Sequence, residues 1–283
     1  MTVTVRPAAT VVLLRNRQGG GPPEIFFVKR HGKSAFMANA YVFPGGRVDE
    51  ADVELAYTKY LHLDAVDDLV KRMHGIEDGR VAAAHVVAAI REMYEEAGVL
   101  LHLPESRSWD EGQLEGHRTK LLSETMTFFE FLSSTSVVLD GSALRYFAHW
   151  ITPVVEKRRY DTRFFMAVAP CDQVASHDDK ETTDSSWLTA SEALDAYQQG
   201  DISLAPPTWR ILCEMSQLST LEAILEWGLV LDKVPPIMPH FCKEHDELVL
   251  ALPGDRSHPE GEEESENRII LRNGRWWTAD LPI

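Results

Sequence analysis

Basic residues are in short supply: 28 Lys and Arg stand against 44 Asp and Glu, a formal net charge of −16 over 283 residues. Neutralising a phosphate backbone needs clustered cations, so no nucleic-acid partner is expected. An anionic small molecule would have to be held by a local positive source, such as a metal ion or a few placed arginines. Cysteine is equally sparse. Cys171, Cys213 and Cys242 are odd in number and form no C-x-x-C pair, which argues against a disulfide framework and a structural zinc site. Long apolar runs are missing too. Residues 81–90, the most apolar stretch, contain His85 and are too short to span a bilayer, and Met1 to Arg6 lead into no apolar signal region. No membrane association and a cytoplasmic location are therefore expected.

What remains, 44% hydrophobic and 25% charged, is an ordinary globular composition. Residues 8–14 and 25–29, rich in β-branched and aromatic side chains and separated by Gly19-Gly20-Gly21-Pro22-Pro23, predict a hairpin. Tyr41-Val42-Phe43 reads as a short strand entering Pro44-Gly45-Gly46, where glycine permits close backbone approach to a ligand. Residues 54–79 read as a surface helical excursion. Residues 81–97 read as a helix with Ile90, Met93, Tyr94 and Ala97 on its buried stripe and Gly98 as its stop. Strands are expected over 144–151 and 163–169. Ser191 and Glu192 are expected to begin a helix ending at Gly200, and another helical region should run from Thr208 to about Trp227. The acidic run 260–266, between apolar segments 248–252 and 269–271, reads as a solvated hairpin tip.

At about 100° per residue, Glu92, Glu95 and Glu96 fall within roughly 100° of arc, opposite the apolar stripe. Like charges at these spacings repel on an isolated helix. A compensating cation is the expectation, and hard oxygen ligands suit Mg²⁺ or Mn²⁺. Arg91 lies four residues before Glu95 and could orient it. A solvated acidic face is the alternative from the helix alone. His85 reads as a packed histidine, and the Phe26-Phe27 and Phe164-Phe165 pairs as sheet core. Trp276-Trp277 reads as a hydrophobic anchor for the tail.

Gly46 followed by Arg91-Glu92-Met93-Tyr94-Glu95-Glu96-Ala97-Gly98-Val99 resembles the Nudix hydrolase box, G-x5-E-x7-R-E-U-x-E-E-x-G-U, where U is apolar. Two departures mark this chain. Asp52 stands where the first Glu of the box falls, and the Arg due at position 60 stands at 91, an insertion of 31 residues. With Trp150-Ile151-Thr152-Pro153, the segment Arg158 to Phe165, and Ala205-Pro206-Pro207-Thr208, the split box resembles the peroxisomal coenzyme A diphosphatase subgroup and its bacterial relatives.

The resemblance implies a Nudix α/β/α sandwich with a mixed sheet, a helical insertion at about 53–80 inside the box, and a C-terminal extension. It divides the chain into a Nudix domain over 1–200 and a helical and hairpin extension over 201–283 packed on it. Glu92, Glu95 and Glu96, with the Gly45 carbonyl, would hold Mg²⁺ or Mn²⁺, and Arg91 would orient them. Arg30, Gly46, Arg158, Arg159 and Arg163 would contact the substrate, and a box Glu, Glu181 or Asp184 would be the base. The implied activity is hydrolysis of coenzyme A or acyl-coenzyme A at the diphosphate. Hydrolysis of ADP-ribose, a dinucleotide or a nucleoside-diphosphate sugar is the rival enzyme reading, and a non-catalytic ligand sensor the rival outside enzymes. A homodimer is the commonest soluble oligomer, although no interface is marked in the sequence.

Overall fold

Alternation along the first strand sets the layering. β1 (Val5–Arg15) sends Val11 and Leu13 to one face of a sheet and Val12 and Leu14 to the other, all four fully buried. A strand buried on both faces must lie inside a sheet with layers on either side. The computed structural model describes residues 3–31, 39–56, 58–106, 111–178, 182–261 and 264–278, and shows that arrangement.

β2 (Glu24–Arg30) returns antiparallel to β1, and β3 (Tyr41–Val42) pairs with β2. β4 (Gly45–Arg47) then lies along β1, with Gly46 opposite Ala9. After α1 (Glu50–Leu55), β5 (Leu61–His62) and α2 (Val66–Arg72) comes the long helix α3 (Gly79–Ala97). Asp78 caps its N-terminus by accepting from the Arg80 amide at 2.8 Å, and Gly98 ends it with a left-handed φ of 70°. α4 (Glu111–Leu122), α5 (Phe128–Thr135) and β6 (Leu139–Asp140) lead into β7 (Arg145–Ile151) and β8 (Arg159–Val168). β9 (Thr182–Thr189) pairs with β2 and is followed by α6 (Ala190–Gln199), α7 (Pro206–Met215) and α8 (Leu221–Trp227). The chain closes with β10 (Pro236–Ile237) and a four-stranded meander of β11 (His240–Glu244), β12 (Glu247–Ala251), β13 (Arg268–Arg272) and β14 (Arg275–Trp277).

The large sheet has eight strands, ordered β10-β7-β8-β1-β2-β3 with β4 added on β1 and β9 on β2. Val86, Ile90 and Met93 of α3 pack with Val11, Leu13 and Phe165 on one face. On the other, Val12, Leu14 and Phe164 meet Leu194 of α6, Trp209 and Leu212 of α7, and Leu250 and Ile269 of the meander. This is the mixed α/β/α sandwich expected from the sequence. Among the described residues, no helix is long and apolar enough to cross a membrane.

Three expectations need correction. The segment 54–79 is not a surface helical excursion: only α2 is wholly helical within it, β5 pairs with β6, and Met73 and Ile76 are buried in the core. Arg72 and Arg163 fasten its end, donating to backbone carbonyls of Tyr146, Gly228 and Leu231, and of His74, respectively. The cap of α6 is Thr189, not Ser191, because Thr189 and Glu192 form a reciprocal capping box. The last helical stretch is two helices, since the Thr220 hydroxyl accepts from the Ala223 amide at 3.1 Å and starts α8 afresh.

Candidate active site

The last two turns of α3 lie beside β4, and that contact depends on glycine. A Cβ on Gly46 would stand 2.3 Å from Glu92 Oε1, and one on Gly45 would stand 2.5 Å from the Ala9 carbonyl oxygen. Neither glycine has a left-handed φ. The need is close approach, with Gly45 held against backbone and Gly46 against the end of a side chain. The Gly45 amide donates to Glu96 Oε2 at 2.9 Å, which ties the loop to the helix.

Arg91 organises the remaining acids. Its guanidinium donates to Asp52 at 2.9 and 3.0 Å, to Glu92 at 2.9 Å and to Glu95 at 3.1 Å. Asp52 is 1% exposed and also accepts from the Asp49 amide, so it caps α1 while anchoring Arg91. The two halves of the split motif are rejoined through this pair. Burial alone would lower the Arg91 pKa, but the bonds to Asp52 and the charges of Glu92 and Glu95 raise it, and the group stays charged. Burial raises the Glu92 carboxyl above the usual carboxylate range; Arg91 opposes that rise and Glu95 adds to it.

Arg118 of α4 fixes the same turn from behind. Only 2% exposed, it donates to the carbonyls of Glu95 at 3.0 Å, Glu96 at 3.1 Å and Ser176 at 2.9 Å. A cation there satisfies the orphan carbonyls and complements the helix dipole.

Arg91, Glu92, Glu95 and Glu96 border a cavity of about 570 Å³ lined, among the described residues, by five acids (Asp49, Glu92, Glu95, Glu96 and Glu124) and three arginines (Arg30, Arg47 and Arg91). An excess of carboxylates repels a diphosphate unless a cation intervenes. Among the described residues, no three acidic, histidine or cysteine side chains already converge as a metal cage. Glu92 and Glu95 turn to Arg91, and Glu96 to the Gly45 amide. The donor set nonetheless fits a hard divalent cation: crowded carboxylate oxygens, one of them buried enough to resist ionisation without compensation.

The glycines give a sharp comparison. Gly46→Ala should keep the fold, because Glu92 can swing away, yet lower kcat on the order of 10²-fold through misplacement of that carboxylate. Gly45→Ala meets backbone and should also lower the melting temperature. Thermal melts and steady-state rates on both variants check this; an active Gly46→Ala enzyme would refute it.

Of the residues expected at the site, Arg30, Gly45, Gly46, Arg91, Glu92, Glu95 and Glu96 line this cavity. Arg158, Arg159 and Arg163 do not. Tyr160, Thr162 and Phe164 of β8 face the cavity, so the odd-numbered Arg159 and Arg163 point to the other face of the sheet. Arg159 donates to the Thr152 carbonyl, and Arg158 is exposed on the connection before β8. Arg163, 4% exposed, pairs with Asp161, which also receives His149 Nε2 at 2.5 Å. Asp184 is exposed, accepts from Tyr41 Oη at 3.0 Å and does not line the cavity. Glu181 lies outside the described residues. Sequence reasoning missed Arg47, Asp49, Glu124 and Arg118; only Arg47 and Asp49, close after the glycine loop, carried a local signal.

Comparison with known proteins decides the family. The sequence profile described as the NUDT19 Nudix domain matches residues 5–215. The chain belongs to this Nudix family. It is 29% identical over 275 residues to a Xenopus laevis protein named acyl-coenzyme A diphosphatase NUDT19, covering 84% of this chain and 72% of that one. The protein of the same name from Gallus gallus is 27% identical over 327 residues, covering 98% and 85%. A crystal structure of a Nudix hydrolase from Alicyclobacillus acidocaldarius superposes with a TM-score of 0.62 at 25% identity, covering 83% of this chain and all of that one. The protein is thus a Nudix hydrolase whose box is interrupted in sequence and closed in space by Asp52 and Arg91.

Proposed function

We propose that this Nudix hydrolase cleaves the diphosphate of coenzyme A or its acyl thioesters, giving adenosine 3′,5′-bisphosphate and an (acyl-)4′-phosphopantetheine. The observation that carries the reading is the acid-lined cavity built by α3 and the Gly45-Gly46 loop. The relatives named acyl-coenzyme A diphosphatase supply the substrate class.

In this reading Glu92, Glu95 and Glu96 hold Mg²⁺ or Mn²⁺, with the Gly45 carbonyl as a further oxygen. When bound, the cation neutralises the diphosphate and makes phosphorus more electrophilic. Arg91 keeps Glu92 and Glu95 side by side on one turn, and Asp52 keeps Arg91 in place. A carboxylate of the cavity takes the proton of the attacking water, as Asp184 is turned to Tyr41 outside it. The water oxygen bonds to one phosphorus and the bridging P–O bond breaks. Arg30 and Arg47 attract the anionic end of the substrate.

Product analysis by mass spectrometry tests this. The protein is incubated with Mg²⁺ or Mn²⁺ and coenzyme A, its 3′-dephospho form, ADP-ribose or UDP-glucose. Metal-dependent release of adenosine 3′,5′-bisphosphate, with a slower rate for the dephospho form, is expected. AMP from ADP-ribose or UMP from UDP-glucose, with coenzyme A untouched, would overturn the substrate assignment and keep the chemistry.

A further inference from the structure

A second cavity of about 410 Å³ opens from the first, sharing Tyr160, Thr162, Phe164, Ala205 and Pro207 with it. Its walls are apolar: Trp150, Ile151 and Pro206 on one side, Phe241, Leu250 and Trp276 of the meander on the other. Among the described residues, no Lys, Arg or His lines it, and Glu156 is its one charged residue. Phe241 is 41% exposed at this surface, an unusual state for a phenylalanine that only packs a core.

The sheet order gives the two cavities a direction. β8 runs along one edge of β1, and the apolar cleft lies on that side, over β7 and β8. β4 and β2 lie along the other edge, carrying Arg47 and Arg30. A molecule whose diphosphate lies at the α3 carboxylates therefore meets guanidinium groups in one direction and a mainly apolar cleft without cationic groups among its described lining in the other. The two ends of an acyl-coenzyme A differ in the same sense. The phosphorylated adenosine is anionic, and the thioester end is neutral and apolar.

On this basis, which rests on the coenzyme A reading above, we propose that the cleft between β7–β8, the start of α7 and the C-terminal meander is the acyl-chain site. It takes the thioester end of the substrate while the 3′-phosphoadenosine lies toward Arg30 and Arg47. The meander is then a specificity element, and the enzyme favours acylated over free coenzyme A.

The test is a chain-length series: free coenzyme A and its acetyl, butyryl, hexanoyl, octanoyl and dodecanoyl thioesters, with the unmodified protein, Phe241→Ser, and Phe129→Ser. Phe129 is 49% exposed on α5, lines neither cavity, and serves as control. KM should fall with chain length by up to roughly fourfold per methylene until the cleft is filled, as hydrophobic burial predicts. Phe241→Ser should flatten that slope and Phe129→Ser should keep it. With the unmodified protein alone, acyl-phosphopantetheine should inhibit more tightly as its chain lengthens, a result independent of any variant's folding. Turnover of coenzyme A with a KM indifferent to chain length, or a slope unchanged by Phe241→Ser, overturns this inference and leaves the substrate reading standing. Absence of turnover with every coenzyme A compound overturns both.

Discussion

Glu95→Gln should lower kcat on the order of 10²–10³-fold while leaving the fold intact. Glu95 lies in the cavity, 24% exposed, with its carboxylate bonded to Arg91 at 3.1 Å. The amide keeps the shape and removes one negative charge from the proposed cation site. A metal site stabilises the transition state by several kcal/mol, and each 1.36 kcal/mol is a decade of rate. The fold survives because Arg91 remains fixed by its two bonds to Asp52, and one like-charge repulsion with Glu92 is relieved. Rates measured across a Mg²⁺ titration check this: kcat should drop and the half-saturating Mg²⁺ concentration should rise. Unchanged turnover would remove Glu95 from the metal site.

Arg163→Met should act the other way, on stability and not on catalysis. The guanidinium is buried, pairs with Asp161 and donates to the His74 carbonyl at 3.0 Å. Removing the guanidinium leaves the His74 carbonyl without its donor and Asp161, 30% exposed, with only His149 of these two partners, which costs about 2–3 kcal/mol. For a chain of this size that corresponds to a melting temperature lower by on the order of 10 °C. Rates well below the transition should be unaltered, because Arg163 faces away from the cavity. A raised KM with an unchanged melting temperature would instead favour substrate contact. The pH dependence follows from Asp161. Burial would raise its pKa, but hydrogen bonds from His149 and Arg163 hold it at about 2. A depressed carboxylate pKa contributes stability that is present above the unfolded value near 3.8 and lost as pH falls toward 2. That acid limb should shrink in Arg163→Met.

The sequence made the chemistry of α3 readable because its cues are local. Period, glycine stop and the cluster of Glu92, Glu95 and Glu96 all lie within one helix, and the glycine loop announces a close approach. Groups that meet across long separations were not readable. Arg118 reaches the end of α3 from another helix, and nothing in the segment around it signals a cap. Asp52 and Arg91 stand 39 residues apart, and only folding shows them bonded. Arg163 fails for a different reason. With the strand begun at 163 instead of 159, the parity that puts Tyr160, Thr162 and Phe164 on the cavity face went unused. The insertion looked like solvated surface because its charged residues outnumber Leu55, Met73 and Ile76, which do the burying.

The parallel ladder between β1 and β8 has a consequence for how the chain is made. Its ten registered pairs join Val5 to Arg159 and Leu14 to Val168, so during synthesis β1 waits for a strand about 150 residues later. At about 5–20 residues per second of synthesis, the wait is roughly 8–30 s. Until then β2 and β4 pair only with the other edge of β1, and the edge that will meet β8 stays open along the run Val11 to Leu14. A nascent or truncated chain ending before residue 159 is therefore the aggregation-prone form of this protein.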